Sequence, residues 1–282
     1  MGYVHNAIPI SVIILTLNEE HNIEDCIRSV RDFADQIIIV DSFSTDATLN
    51  LAKKYTPCIY QHKFVNFAQQ RNWAQDHLSI KNEWVFHLDA DERVSQELAF
   101  ALRRKFGSMP HADGFMASRK TLYRNRWIRH GGHYPVYHLR IFKKDRGRSE
   151  ERYYDQNYIV NGTTHKIHGD IINIINGNVH EWMARHRKWA RLEAMEVLYN
   201  RRRILNIRLL GNPIERKNWL RYNAYYQMPI FVRVYLYFLY RFIIRCGFLD
   251  GMRGIMFHVL QGFWYRILVD IAICDAMIHK PK

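Results

Sequence analysis

The sequence predicts an α/β fold, an open and mostly parallel sheet flanked by helices, followed by a basic, amphipathic helical lobe. Three observations lead there. Residues 10–16, 36–41 and 83–89 are rich in Ile, Val and Leu and have the near-continuous apolar character of strands buried on both faces. Segments with helical spacing separate these runs through short connections, as βαβ units require. The charge is also divided. Residues 1–179 carry 23 Lys and Arg against 20 Asp and Glu, a net of +3, whereas residues 180–282 carry 18 against 7, a net of +11. A chain of 282 residues can hold one large domain with a smaller lobe, and the expected boundary falls between residues 179 and 180.

Each element follows from its residues. The strand 10–16 runs into Asn18-Glu19-Glu20-His21-Asn22, a helix start whose acids sit at the positive end of the dipole. Residues 24–33 have helical spacing through Ile27 and Val30. The strand 36–41 ends in Asp41. Residues 44–48 form a loop and N-cap before a helix over 48–55. A short strand at 58–62, a helix at 67–77 and a strand at 83–89, again ending in acid, complete the front half. Short strands are expected at 114–118 and 139–143. Residues 123–137, rich in Arg, Gly, His and aromatics, have the composition of a functional loop, and 181–203 that of a helix.

Composition removes several classes. Cys26, Cys58, Cys246 and Cys274 form no C-x-x-C pair, so a zinc ribbon or disulfide scaffold is not expected, and a reduced cytosolic setting fits. The apolar start is short and interrupted by Pro9, unlike a signal peptide. No run of about 18 uncharged apolar residues is seen, so no simple membrane span is expected.

The main chemical clue is Asp89-Ala90-Asp91. Two carboxylates this close repel unless a cation sits between them, and Mg²⁺ binds through one or two carboxylates plus substrate phosphates. The alternative is an acidic turn or N-cap. Asp41, at the end of a separate strand, favours the first reading and could accept from ribose hydroxyls or a base N–H. Ligands of such sheets bind at the carboxyl ends of the strands. The turn after the first strand lacks G-x-G-x-x-G, and no P-loop occurs.

Four segments in order, residues 10–20, 37–48, 67–72 and 84–92, resemble the family 2 glycosyltransferases, most closely the bacterial members that build lipopolysaccharide core and other surface polysaccharides. The resemblance implies a GT-A fold, a nucleotide-sugar donor with UDP-sugars foremost, Mg²⁺ or Mn²⁺, and inverting transfer to a lipid-linked saccharide. It implies that Thr16, Leu17, Asn18 and Glu19 line the nucleotide pocket with Ala90. By the same resemblance Asp41 contacts base or ribose, Arg71 contacts uracil or phosphates, Asp89 meets ribose or metal, and Asp91 ligates the metal. Many relatives place a Glu base after an Arg-Leu-Phe-like strand. Here that strand is Leu139-Arg140-Ile141-Phe142, and the Glu position falls on Gln156, which cannot act as a base. Asp155 is the candidate general base, with Glu151 and Glu92 as alternatives. A nucleotidyltransferase would share the fold style and the metal, but residues 17–21 lack its Gly- and Arg-rich loop.

His130-Gly131-Gly132-His133 reads as a flexible acceptor loop rather than a metal site, and Trp182, His186 and Trp189 as packing residues. In the tail, Arg233, Tyr237, Arg241 and Arg245 recur every four residues, a cationic stripe on an otherwise apolar helix. Arg201, Arg202, Arg203 and Arg208 add charge upstream. This pattern predicts peripheral binding to the inner face of the cytoplasmic membrane, with oligomer contacts through the same helices as a compatible alternative. Nucleic-acid binding explains the high pI but not the acid-tipped strands.

Overall fold

The computed structural model describes residues 7–108, 111–154, 156–199 and 208–279. The chain divides into two compact units. One holds residues 1–119, 137–151 and 156–174; the other holds 120–136, 152–155 and 175–282.

The first unit is built on a mixed sheet. Strands β1 (Ile8–Thr16), β2 (Ala34–Asp41), β3 (Ile59–Gln61) and β4 (Trp84–Asp89) pair in parallel in the order β3-β2-β1-β4. Their connections carry α1 (Ile23–Val30), α2 (Thr48–Ala52) and α3 (Phe67–His77). The sheet continues through β8 (Val136–Lys143), β6 (Gly114–Tyr123), β11 (Thr164–Ile175) and β5 (Glu92–Val94), with β7 (Arg126–Ile128) paired to β6. The β4–β8 and β11–β5 pairings are antiparallel. A small hairpin joins β9 (Gly147–Ser149) to β10 (Tyr158–Val160). The parallel half is where the sequence shows uninterrupted apolar runs. The antiparallel half has strands of mixed pattern, so β5, β9, β10 and β11 carry no clear sequence signature, and helix α4 (Gln96–Gly107) is a further element that the sequence does not predict.

The core forms between the parallel strands and α1. Ile10, Val12, Ile14, Phe86 and Leu88 are fully buried with Ile23, Ile27 and Val30 of α1. Helix α3 departs from the usual pattern: it buries Gln70, Arg71 and Asn72. Asn72 brackets Ser149, donating to its carbonyl at 3.1 Å and accepting from its amide at 2.9 Å.

The second unit holds α5 (Val179–Tyr199), α6 (Pro213–Asn223), α7 (Val232–Leu239), α8 (Gly251–His258) and α9 (Tyr265–Ile278). A π-helical turn, Tyr240–Ile244, prolongs α7, and a second, Val259–Trp264, joins α8 to α9. The loop expected over 123–137 contains β7. Trp182, His186 and Trp189 do pack, His186 stacking on Trp182 at 3.5 Å between ring centroids. The run Gly247–Ile278 is long and apolar enough to cross a membrane by length and composition, against the expectation from sequence of no simple span. It also carries Asp250, His258 and Asp270, all buried. Of the upstream cations, Arg201, Arg202 and Arg203 lie outside the described residues.

The cationic stripe on α7 is corrected by the structure. Arg233 is buried and donates from Nε to Asp270 at 3.0 Å. Arg241 donates to the Gly131 carbonyl and the Tyr237 hydroxyl. These groups satisfy acceptors within the unit, so of the four only Arg245 is exposed.

Gly169 has φ +101°, and a Cβ there would lie 2.2 Å from the backbone nitrogen of Leu98. The Gly169→Ala substitution combines a left-handed-region penalty with overpacking against immovable backbone. It should lower stability by about 3 kcal/mol in urea denaturation.

Candidate active site

The parallel register brings the predicted strand ends together. Across the β1–β2 pair Thr16 faces Asp41, and across β1–β4 Leu15 faces Asp89. Thr16, Asp41 and Asp89 therefore lie side by side at one edge of the sheet, with Asp91 two residues further on. The loops after β1 and β2 are laced to each other. The Asn18 amide donates to Ser44 Oγ at 2.8 Å, and Asn18 Oδ1 accepts from the Thr45 amide at 2.8 Å. The Glu19 amide donates to Thr48 Oγ1 at 2.8 Å, and the Ala47 amide to Glu20 Oε2 at 3.0 Å. Asn18 takes φ +53° to make this turn. Leu17 is exposed, while Thr16 is buried and its hydroxyl has no partner among the described residues.

Asp41 is completely buried and accepts from the Ser44 amide at 2.9 Å and from Gln61 Nε2 at 3.0 Å. Its carboxylate is thereby committed to shaping the loop. Ala90 is buried, its amide donating to the Leu15 carbonyl at 3.0 Å.

Asp89 is held by two arginines. Arg71 NH2 lies 3.1 Å from Oδ1, and Arg140 NH2 lies 3.2 Å from Oδ2. Arg140 also reaches Glu92 Oε1 at 3.3 Å, and the Asp89 amide donates to Glu92 Oε2 at 3.1 Å. Burial alone would raise the Asp89 pKa, but Arg71 and Arg140 outweigh it and hold the carboxyl well below the usual range. Both guanidinium groups lie near the Tyr158 ring, 5.3 and 5.9 Å from its centroid. Beneath them His87 is fully buried, with neither ring nitrogen partnered among the described residues. Burial, then Arg71 and Arg140, keep it neutral.

Asp91 is the opposite case. Burial, then Glu92, Asp89 and Glu19, push its pKa up to about 7, with Arg119 opposing. Arg119 donates to Asn173 Oδ1 at 2.6 Å and lies 4.0 Å from Glu92. The acid pair thus divides: Asp89 is ionised and paired with two arginines, whereas burial and the neighbouring acids make Asp91 hold its proton up to about pH 7 unless a cation displaces it. A hard divalent cation suits Asp91. No group of three His, Cys, Asp or Glu among the described residues is placed to hold a metal. The protein would supply one or two carboxylate ligands, and phosphate and water the rest, as Mg²⁺ prefers.

Asp155, the candidate base, lies outside the described residues. Of the alternatives, Glu151 is exposed and Glu92 is 1% exposed, its oxygens given to Arg140 and the Asp89 amide. The residues not foreseen as site residues are Arg140, Arg119 and Tyr158. Arg140 carries a recognisable signal, a lone cation inside an apolar strand segment; the other two carry none.

The profile of glycosyl transferase family 2 matches residues 11–164, more than half of the chain, and the chain belongs to that family. An uncharacterised glycosyltransferase of Rickettsia bellii is 35% identical over 108 residues, 38% of this chain and 36% of that protein. The lipopolysaccharide core biosynthesis glycosyltransferase LpsC of Rhizobium meliloti is 32% identical over 118 residues, 40% of this chain and 43% of that protein. The matched segment thus spans about a third of the length of the Rickettsia relative. Among solved structures, Staphylococcus aureus TarS in complex with UDP-GlcNAc aligns with a TM-score of 0.48 at 13% identity, covering 95% of this chain and 91% of that one. The glucosyl-3-phosphoglycerate synthase of Mycobacterium tuberculosis with Mn²⁺ and UDP-glucose aligns at 0.36 and 19%, covering 49% and 57%.

Two outcomes follow from the ion-pair geometry. Arg140→Met keeps the stem but leaves Asp89 and Glu92 under-compensated, and should cost about 3 kcal/mol in denaturant unfolding. For Asp91, a folded pKa raised above the unfolded value means that ionisation disfavours the fold. The penalty is absent near pH 4 and complete above about pH 7. In metal-free protein, Asp91→Asn should therefore match wild type at pH 4 and exceed it by on the order of 2 kcal/mol at pH 8.

Proposed function

We propose that the protein is a metal-dependent inverting glycosyltransferase. It would move a sugar from a nucleotide-sugar donor, a UDP-sugar foremost, to a lipid-linked saccharide in bacterial lipopolysaccharide or surface-polysaccharide assembly. In this reading it works as a peripheral protein on the inner face of the cytoplasmic membrane. The observation that carries it is the unequal acid pair at the strand ends of a family 2 chain: Asp89 paired with Arg71 and Arg140, and Asp91 beside it in a negative field that a divalent cation would relieve.

The residues divide the work. Asp91, with Asp89 behind it, would hold Mg²⁺ or Mn²⁺ against the donor diphosphate; when bound, the ion neutralises charge developing on the leaving nucleoside diphosphate. Arg119, facing the same acids, would add positive charge at the diphosphate. Thr16, with its unpartnered hydroxyl, and the backbone of Leu17, Asn18 and Glu19 would line the nucleotide site. Asp41 supports that wall by fixing the Ser44 loop. Arg71 would act by orienting Asp89. The acceptor hydroxyl needs a base to take its proton, and Asp155 is the proposed one.

The test is release of nucleoside diphosphate from UDP-, GDP- and CDP-sugars with Mn²⁺. One donor should be turned over, and Asp91→Ala should lower that turnover at least 1000-fold with an unchanged circular dichroism spectrum. Wild-type turnover in that variant, or turnover unaffected by chelation, would remove the metal role.

A further inference from the structure

Helix α7 and its π-helical continuation carry two stripes, and their orientation is the reverse of that in a protein surrounded by water. Arg233, Tyr237 and Arg241, spaced by four, face inward, and Arg233 is 3% exposed on a completely buried Asp270. The other stripe, Tyr235, Leu236, Leu239, Tyr240, Ile243 and Ile244, repeats at the same spacing and is 47–70% exposed. Phe248, Leu249 and Met252 continue it beyond the turn and are also exposed. A helix in water hides its apolar stripe and shows its charges. A contiguous apolar surface of this kind marks an interaction site.

The charges of the unit say what covers it. Four of the seven acids in residues 180–282, Glu193, Glu196, Asp250 and Asp270, are at most 2% exposed. Each is occupied by buried or half-buried partners, such as Arg266 and Arg221 on Glu193. The fully exposed acids are Glu181 and Asp275. Exposed cations remain: Arg245 beside Ile244, Arg253 beside Met252, and Arg185, Arg187, Lys188 and Arg191 on α5. Where Arg245 and Arg253 adjoin the stripe, Arg253 also donating to the Arg124 carbonyl at 2.7 Å, the surface is apolar and cationic at once. A second copy of this chain would bring the same charge and repel it, whereas an anionic lipid surface complements both properties.

We propose that α7 and its π turn form an in-plane docking element for anionic membranes, with the outward stripe among the acyl chains and Arg245 and Arg253 at the lipid phosphates. The element has 13 residues, about 20 Å at most, and is too short to span a hydrocarbon core of about 30 Å. The inference deepens the lipid-linked acceptor reading and rests on it for its purpose, but its physical basis is independent.

The test uses the full chain and sedimentable vesicles of phosphatidylcholine alone or with one quarter phosphatidylglycerol. Wild type should bind the mixed vesicles at least tenfold better than the neutral ones. The double variant Leu239→Glu, Ile243→Glu should lose at least tenfold of that binding while keeping its melting temperature and its donor hydrolysis. An Ile244→Trp variant should show blue-shifted emission on adding mixed vesicles and quenching by acyl-brominated lipid. Absent vesicle binding, a double variant that binds as wild type, or a soluble dimer that the double variant dissociates would each overturn the proposal. Donor hydrolysis without vesicle binding removes the docking element and leaves sugar transfer standing; vesicle binding without hydrolysis of any donor does the reverse.

Discussion

The ion pair between Asp89 and its two arginines is the constraint on which the site depends. A carboxylate on a core strand end, taken out of water, would protonate or distort the strand unless compensated. Arg71 from α3 and Arg140 from β8 compensate it from two directions, and Glu92 anchors Arg140 in turn. Asp89, Glu92, Arg71 and Arg140 sum to zero charge. This fixes the end of β4 and explains why α3 buries a polar face: its inner surface is a wall of the site as well as part of the core.

That balance gives Asp91 its character. Because Asp89 already holds the two arginines, they are not available to Asp91, which burial and the field of Glu92, Asp89 and Glu19 push toward its protonated form against the opposing charge of Arg119. The result is a group whose charge awaits an external cation. The same logic accounts for the neutral His87 beneath: a second positive charge beside two guanidinium groups in a dry environment is excluded.

The second unit sorts its charges differently. Glu193 gathers Arg221, Arg266 and the hydroxyls of Tyr226 and Tyr265, and burial opposed by these partners leaves its pKa at about 2. Asp250 joins His130 to His258 at 2.7 and 2.9 Å, and Gly131 is bonded through its amide to the Arg245 carbonyl and through its carbonyl to Arg241, so the segment read as a flexible loop is tied down. Drawing the acids inward is what leaves the outside apolar and basic.

The parallel half of the sheet, the acids at its strand ends and the family were legible in the sequence, because a strand buried on both faces writes an unbroken apolar run and a polar residue marks its end. Helix α3 was read at its exact bounds from its own residues. The antiparallel strands were not legible, since their pattern is mixed, and neither was the role of Arg140, which meets Asp89 across 51 residues of chain. The four-residue repeat of α7 was equally plain, yet its direction was read backwards. Periodicity fixes which side chains share a face of a helix; which face meets the protein is decided by partners such as Asp270, 37 residues away from Arg233. The sequence by itself determined the parallel strands, the helices between them and the acids at their ends. Only the tertiary structure decided which charges cancel and which remain, because cancellation is a matter of distances between residues remote in the chain.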